Sequence, residues 1–91
     1  MKVISILGST GSIGRSTLSV VDLHPKKFKI FALSGFNNND LLLEQAIKFK
    51  PSFIVTKDLF SKKILKDKLK DTKLNTEVLY GKEGYNFIAS H

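Results

Sequence analysis

A glycine triplet near the start of this 91-residue chain is the feature that most constrains its fold. Gly8, Gly11 and Gly14 follow the apolar, β-branched-rich run Val3–Leu7, which predicts a short buried strand. Apolar residues then recur at helical spacing until His24–Pro25, which predicts a helix that ends there. The chain therefore opens with a strand, a glycine loop and a helix.

Each glycine of the loop has a separate predicted role. Gly8 lets the chain turn sharply out of the strand, Gly11 lets the backbone approach a pyrophosphate, and Gly14 lets the helix pack closely on the sheet. The four free backbone N–H groups of residues 10–13 would then point at the anion, aided by the helix dipole. The candidate nucleotide-binding residues are Thr10, Gly11, Ser12 and Ile13, with the hydroxyls of Ser9, Thr10 and Ser12 as further donors. A Walker-type loop is excluded because no Gly-Lys-Ser/Thr sequence follows.

The rest of the chain alternates short strands with helices. The predicted strands are Phe28–Leu33, Phe53–Thr56 and Glu77–Tyr80; the predicted helices are Leu41–Lys50, a lysine-rich helix that begins near Asp58, and the start of another at 83–91. This order predicts an α/β fold, a Rossmann-like parallel sheet with flanking helices that is incomplete, with about three to four strands. Right-handed crossovers would place successive strands side by side.

Local signals predict the helix starts and the apolar helix faces. Asn39 or Asp40 would cap the helix Leu41–Lys50, and Asp58 or Ser61 would cap the lysine-rich helix. The residues expected on apolar faces are Ile13, Leu18, Val20 and Val21 in the first helix and Phe60, Ile64, Leu65 and Leu69 in the lysine-rich helix.

The end of the second strand indicates which dinucleotide the chain would prefer. An NAD-binding fold usually places an Asp or Glu there to accept the ribose 2′-hydroxyl. This chain has Ser34–Asn38 instead, with no acid before Asp40. Ser34, the Asn amides and turn N–H groups could receive a 2′-phosphate, so NADP(H) is favoured. Alternatively, Asn37–Asn39 only form a turn and cap a helix; both interpretations can hold together.

Composition excludes several other classes of function. The chain has no Cys, so a disulfide framework, a thiolate nucleophile and a Cys-ligated metal site are excluded, and a cytoplasmic location is expected. Its net charge of +7 comes from lysines spread along the chain, which indicates a solvated surface and favours no nucleic-acid partner. No run is long enough for a membrane span. His24, His91 and the pair Asp67 and Asp71 form no catalytic or metal constellation; the two Asp predict surface ion pairs.

The segment Lys2–Leu18, KVISILGSTGSIGRSTL, resembles the amino terminus of the 1-deoxy-D-xylulose 5-phosphate reductoisomerase family, in which ILGSTGSIG-x-x-TL opens the NADPH-binding domain. Further matches extend the resemblance over essentially all of residues 1–91; they include His24–Pro25, Glu44–Gln45, Pro51 and Glu77–Leu79. The resemblance implies that Thr10, Gly11, Ser12 and Ile13 bind the NADPH phosphates.

A second cofactor contact is implied by the family's Ala-Gly-x-Asn turn after the second strand. Ser34–Asn38 matches this turn only approximately, in two registers, so the implied contact residues are Gly35, Phe36, Asn37 and Asn38. A Lys or Arg that some family members offer to the 2′-phosphate is absent. Which Asn meets the cofactor stays open at this point.

The resemblance also implies what the whole protein would do. Family members isomerise 1-deoxy-D-xylulose 5-phosphate and reduce the aldehyde with NADPH to 2-C-methyl-D-erythritol 4-phosphate in isoprenoid synthesis, with Mg²⁺ or Mn²⁺. Their chains are several times longer, and the resemblance implies that the whole protein is a homodimer. The segments that hold the metal and the sugar phosphate have no counterpart here, so residues 1–91 are expected to be an inactive amino-terminal part of the NADPH-binding domain, with no catalytic or metal-ligating residue.

Two other functions remain compatible with the residues alone. One is the nucleotide-binding domain of another NAD(P)-dependent dehydrogenase, such as an aspartate-semialdehyde or dihydrodipicolinate reductase type. The other is a small basic nucleic-acid-binding module, which the positive charge permits but which a single Arg and the lack of an aromatic, basic strand disfavour.

Overall fold

The computed structural model describes all residues from 1 to 91. Strands and helices alternate along the whole chain, as the sequence predicts. The elements are β1 (Lys2–Ile6), α1 (Ser12–Leu23), β2 (Phe28–Ser34), α2 (Asn39–Phe49), β3 (Phe53–Thr56), α3 (Leu59–Lys70), β4 (Glu77–Tyr80) and α4 (Gly81–Ala89). The predicted first strand is shifted by one residue, because Leu7 already belongs to the turn that leaves the sheet. The last helix begins earlier than predicted, directly after β4.

The four strands form one parallel sheet in the order β1–β2–β3–β4. This confirms the α/β class and the side-by-side order expected from right-handed crossovers. The pairing of β1 with β2 shifts by one residue between Ile4 and Ser5. The strands β1 and β4 lie at the two edges of the sheet. All four carboxyl ends point the same way, so the loops that follow the strands meet along one border of the sheet.

Helices cover the two faces of the sheet unequally. The larger core joins α1, α2 and α3 to one face; its buried members include Leu18, Leu33, Leu42, Ile54 and Leu65. On the other face only α4 packs, where Ile88 is buried against Ala32 and Val55. Adjacent residues of β2 and of β3 are thus buried in the cores on opposite faces of the sheet, because side chains alternate along a strand.

Two predicted apolar faces are partly wrong. In α1 the buried stripe consists of Gly14, Leu18 and Val21, whereas Ile13 is 83% exposed and Val20 is also exposed. The helix is rotated so that its glycine, not its first isoleucine, faces the sheet. In α3 the buried position next to Phe60 belongs to Ser61, and Phe60 is 72% exposed.

No helix of the structure is both long enough and apolar enough to span a membrane.

Candidate nucleotide-binding site

The glycine loop leaves β1 through a backbone conformation that favours glycine. Gly8 has a φ of +76°, in the left-handed region, although a Cβ there would meet no atom within 4 Å. Gly14 is required for a different reason, since a Cβ would lie 2.3 Å from the Gly8 carbonyl oxygen and 2.6 Å from Ser9 Cα. The sharp turn at Gly8 and the close packing at Gly14 are therefore both present in the fold.

Gly11 is the one glycine of the triplet that the fold itself does not require. Its φ of −79° and ψ of 173° suit any residue, and a Cβ would meet only the Gly8 oxygen, at an ordinary 3.5 Å. The residue is exposed. A demand for glycine at this position would therefore come from something outside the chain that approaches the backbone closely.

Several backbone donors of the loop have no partner inside the protein. The N–H groups of Thr10, Ser12 and Ile13 donate no hydrogen bond within the chain, and no side chain caps α1. Gly11 differs, because its N–H donates to the Gly8 carbonyl at 3.1 Å. The expectation that all four N–H groups are free is thus wrong at Gly11. The other three, at the positive end of a helix, form a neutral array of unpaired donors, an arrangement that suits an anion.

The predicted hydroxyl donors are not equally available. Ser9 is fully buried, and its hydroxyl donates to Gln45 Oε1 at 2.7 Å, so its expected role as a donor to the ligand is wrong. Ser34 is 1% exposed, and its Oγ accepts the Gly8 N–H at 2.9 Å, so it faces the glycine loop instead of a 2′-phosphate. Ser12 is exposed, and Thr10 is half-buried.

The loop and the turn after β2 line one groove of about 560 Å³. Its walls are Leu7, Gly8, Thr10, Gly11, Tyr85 and the turn residues Ser34, Gly35, Phe36, Asn37 and Asn38. Thr10 crosses directly over Gly35, where a Cβ would lie 2.7 Å from Thr10 Cγ2. The structure therefore brings the two predicted segments together. Ser12 and Ile13 line a second groove of about 500 Å³ on the other flank of the loop.

The three consecutive asparagines have three different environments. Asn38 caps α2, since its Oδ1 accepts the Leu41 N–H at 3.0 Å; the predicted cap at Asn39 or Asp40 is therefore wrong by one residue. Asn39 Oδ1 instead accepts the Thr56 hydroxyl at 2.7 Å. Asn37 is exposed, lines the groove and makes no side-chain hydrogen bond. Both atoms of its amide are therefore free, whereas Asn38 and Asn39 each use Oδ1 within the chain and keep only Nδ2 for a ligand.

Tyr85 lines the groove although nothing in the sequence pattern indicated it. It lies on α4, and its ring packs edge-on against Phe36 with 6.1 Å between the ring centroids. The pair forms an aromatic wall beside the Asn37 turn. Only the packing of α4 over β3 and β4 brings Tyr85 there, so no local signal could have found it.

The model of the family described as 1-deoxy-D-xylulose 5-phosphate reductoisomerase matches residues 4–91. The chain belongs to this family. It is 48% identical over 88 residues to the reductoisomerase of Haemophilus influenzae, a match that covers 97% of this chain and 22% of the relative. Its identity to the reductoisomerase of Buchnera aphidicola is 47% over 90 residues, which is 99% of this chain and 23% of that protein. The chain thus spans about 22% of the length of the relatives it matches.

Solved reductoisomerase structures share the fold. A reductoisomerase crystallised in complex with NADPH, fosmidomycin and magnesium superposes with a TM-score of 0.93 at 42% identity, over 99% of this chain and 22% of that one. The Zymomonas mobilis reductoisomerase in complex with NADPH gives a TM-score of 0.88 at 26% identity, over 97% of this chain and 23% of that one. The match to this family decides against a different dehydrogenase family.

The histidines and the pair Asp67 and Asp71 do not line either groove of the glycine loop. No group of three or more His, Cys, Asp or Glu side chains in the chain could hold a metal ion, so these residues do not fit the magnesium of the reductoisomerase relatives. Of the two histidines, His91 packs on Phe87 with 4.6 Å between ring centroids. Asp67 forms an exposed ion pair with Lys70 at 4.0 Å, as predicted for the surface of that helix.

Proposed function

We propose that residues 1–91 bind NADPH as the amino-terminal part of the nucleotide-binding domain of a 1-deoxy-D-xylulose 5-phosphate reductoisomerase. One observation carries the proposal: Thr10, whose N–H is free, lines a groove with the turn Gly35–Asn38, and no charged side chain lines that groove. Ser12 and Ile13, whose N–H groups are also free, line the second groove of the same loop, which has no charged lining either. A dinucleotide phosphate needs such donors, and its 2′-phosphate needs the absence of a carboxylate.

The residues have separate roles in this proposal. The N–H groups of Thr10, Ser12 and Ile13 would receive the pyrophosphate, and Gly11 would let it approach the backbone. Gly35, Phe36, Asn37 and Asn38 would form the adenosine end, in which Asn37 supplies a free amide and Asn38 holds the turn by capping α2. Because all these donors are neutral, binding would depend on geometry and the helix dipole more than on charge pairing.

For the whole protein we propose the reaction of its family: isomerisation of 1-deoxy-D-xylulose 5-phosphate and reduction to 2-C-methyl-D-erythritol 4-phosphate, in a cytoplasmic homodimer. NADPH supplies the hydride when bound. The residues of this chain would hold and orient the nucleotide. The Mg²⁺ or Mn²⁺ and the sugar phosphate would be held by segments outside residues 1–91, which alone would be inactive.

Calorimetric titration with NADPH and NADH tests the proposal. The chain should bind NADPH more tightly than NADH; a clear preference for NADH contradicts it. Asn37→Asp places a carboxylate in the groove and should weaken NADPH binding by about 10-fold or more, with little effect on NADH. Asn39→Asp adds the same charge at a residue outside the groove lining and serves as the matched control, with affinity close to that of the unmodified chain.

A further inference from the structure

We infer that Gln45, on α2, is a positioning residue that keeps the N–H groups of the glycine loop available to phosphate. The inference rests on the proposed nucleotide function but concerns a residue that does not line the NADPH groove. Gln45 is 7% exposed and lies 36 residues from the loop in sequence.

Gln45 and Ser9 are joined by two reciprocal hydrogen bonds. Gln45 Nε2 donates to the Ser9 carbonyl oxygen at 2.8 Å, and the Ser9 hydroxyl donates to Gln45 Oε1 at 2.7 Å. The two bonds fix the orientation of the amide, because a flipped amide would set oxygen against the carbonyl oxygen. Both residues are buried, so both bonds are protected from water.

The Ser9 carbonyl is the acceptor that the Ile13 N–H would use if α1 extended back through the glycine loop. In an α-helix the N–H of residue i donates to the carbonyl of residue i−4, so the helical partner of Ile13 N–H is the Ser9 carbonyl. Gln45 occupies that carbonyl. The partner of Ser12 N–H would be the Gly8 carbonyl, which accepts the Gly11 N–H at 3.1 Å. Neither carbonyl accepts the Ser12 or Ile13 N–H, so α1 does not extend back through Gly8 and Ser9, and these two first-turn N–H groups stay without a partner.

The end of β2 holds the loop from the opposite side. Ser9 N–H donates to the Ser34 carbonyl at 2.7 Å, and Gly8 N–H donates to Ser34 Oγ at 2.9 Å. The loop is thus anchored at Gly8 and Ser9 by β2 and at Ser9 by α2. The anchored residues use their N–H groups within the protein, whereas those of Thr10, Ser12 and Ile13 remain free.

Gln45→Met tests this role, since methionine is similar in size but forms neither hydrogen bond. In the folded protein we expect NADPH affinity to fall about 10-fold or more, and hydrogen exchange at the Ile13 amide to slow, because the freed Ser9 carbonyl can accept it. Gln45→Glu is the second variant: its carboxylate accepts the Ser9 hydroxyl but cannot donate to the Ser9 carbonyl, so binding should also weaken.

Thr76→Val is the structural control. The Thr76 hydroxyl donates to the Pro51 carbonyl at 2.6 Å at the opposite end of the sheet, so this variant removes a tertiary hydrogen bond far from the loop. It should lose stability in urea and keep its NADPH affinity. Each variant is measured in the 91-residue chain and in a chimera with residues 4–91 in the Haemophilus influenzae reductoisomerase, where KM for NADPH should rise and kcat should change little.

The outcomes separate the two proposals. If the unmodified protein does not bind NADPH, the proposed function fails, whereas Ile13 amide exchange still tests the positioning role without any ligand. If folded Gln45→Met binds NADPH as the unmodified protein does, or if its Ile13 amide exchanges at the same rate, the positioning role is overturned and Gln45 is only a packing residue.

Discussion

The connections from β1 to α1 and from β3 to α3 differ in how they satisfy the N–H groups at the start of the helix. Both join a parallel strand to a 12-residue helix at the same border of the sheet. Only Lys57 and Asp58 separate β3 from α3, and Asp58 Oδ1 accepts the Ser61 N–H at 2.8 Å. Five residues separate β1 from α1, and the cap position holds Gly11, which has no side chain.

The difference explains why one helix start is a candidate anion site and the other is not. The start of α3 already holds an anion of its own, and the hydrogen bond from the Ser61 N–H lowers the pKa of Asp58 from its ordinary 3.8. The start of α1 carries the same positive dipole with no carboxylate beside it. The start of a helix is available to an external phosphate when no carboxylate of the chain itself caps it.

The largest expected effect concerns the third residue of each helix. Gly14 and Ser61 occupy equivalent, buried positions, but a Cβ at Gly14 would clash with backbone atoms, whereas Ser61 already carries one. Gly14→Ala should lower the free energy of unfolding by about 3 kcal/mol or more, because the new Cβ meets the Gly8 carbonyl. Ser61→Ala should cost about 1 kcal/mol or less. Urea denaturation of both variants measures this, and equal losses would contradict the proposed difference in packing.

Gly11→Asp makes the start of α1 resemble the start of α3. The new carboxylate can cap α1 and interact with its dipole, so the fold should be unchanged or slightly more stable. The same charge would repel the dinucleotide phosphates, and we expect about a 100-fold loss of NADPH affinity by calorimetry. Gly11→Ser adds a cap without a charge and should lose less affinity. Unchanged binding by Gly11→Asp would show that the phosphates lie elsewhere.

Asp58→Ala removes the internal anion from α3. The melting temperature should fall by about 4 to 8 °C, the usual effect of losing a helix cap in a domain of this size. NADPH affinity should not change, because the start of α3 lies outside the groove. Thermal melts followed by circular dichroism, with a parallel calorimetric titration, check both parts; a matching loss of affinity would mean that the two helix starts are coupled.

The smallest expected effect is the pH dependence of the Asp58 cap. Because the pKa of Asp58 is lowered in the folded protein, its ionised form adds stability at every pH above about 3.8. That contribution is lost as the pH falls below 3.8 through the folded pKa. The difference in urea midpoint between the unmodified chain and Asp58→Asn should therefore be constant near neutral pH and shrink in acid. A difference that does not change in acid would contradict this role.

Much of the fold could be predicted because its signals are local. Each strand is a short apolar run bounded by turn residues, and Asp58 is a predicted cap that the structure confirms. The choice among Asn38, Asn39 and Asp40 could not be made locally, since all three are good caps. The contact of Asn39 with Thr56 on β3 leaves Asn38 as the cap.

The candidate site divides in the same way. The glycine loop and the turn at Gly35–Asn38 are predicted as nucleotide-binding segments from residue types and a family resemblance. The structure places Thr10 and Gly11 along one groove with that turn, and Ser12 and Ile13 along the second groove of the loop. That they bind NADPH stays a prediction. Gln45 and Tyr85 could not be found, because their positions at the loop and the groove depend on how α2 and α4 pack on the sheet. The prediction that Ile13 lies on the apolar face of α1 is wrong because the helix turns Gly14, and not Ile13, toward the sheet.

The strand β1 lies at one edge of the sheet that residues 1–91 form. It pairs only with β2, and Met1 and Val3 beside its free edge are exposed. A free strand edge is a template for pairing with another copy of the chain. Pairing at that edge would bring another chain next to Ser5, which helps to line the second groove beside the glycine loop. Self-association would then compete with the nucleotide, and dilution should restore binding sites that concentrated samples hide.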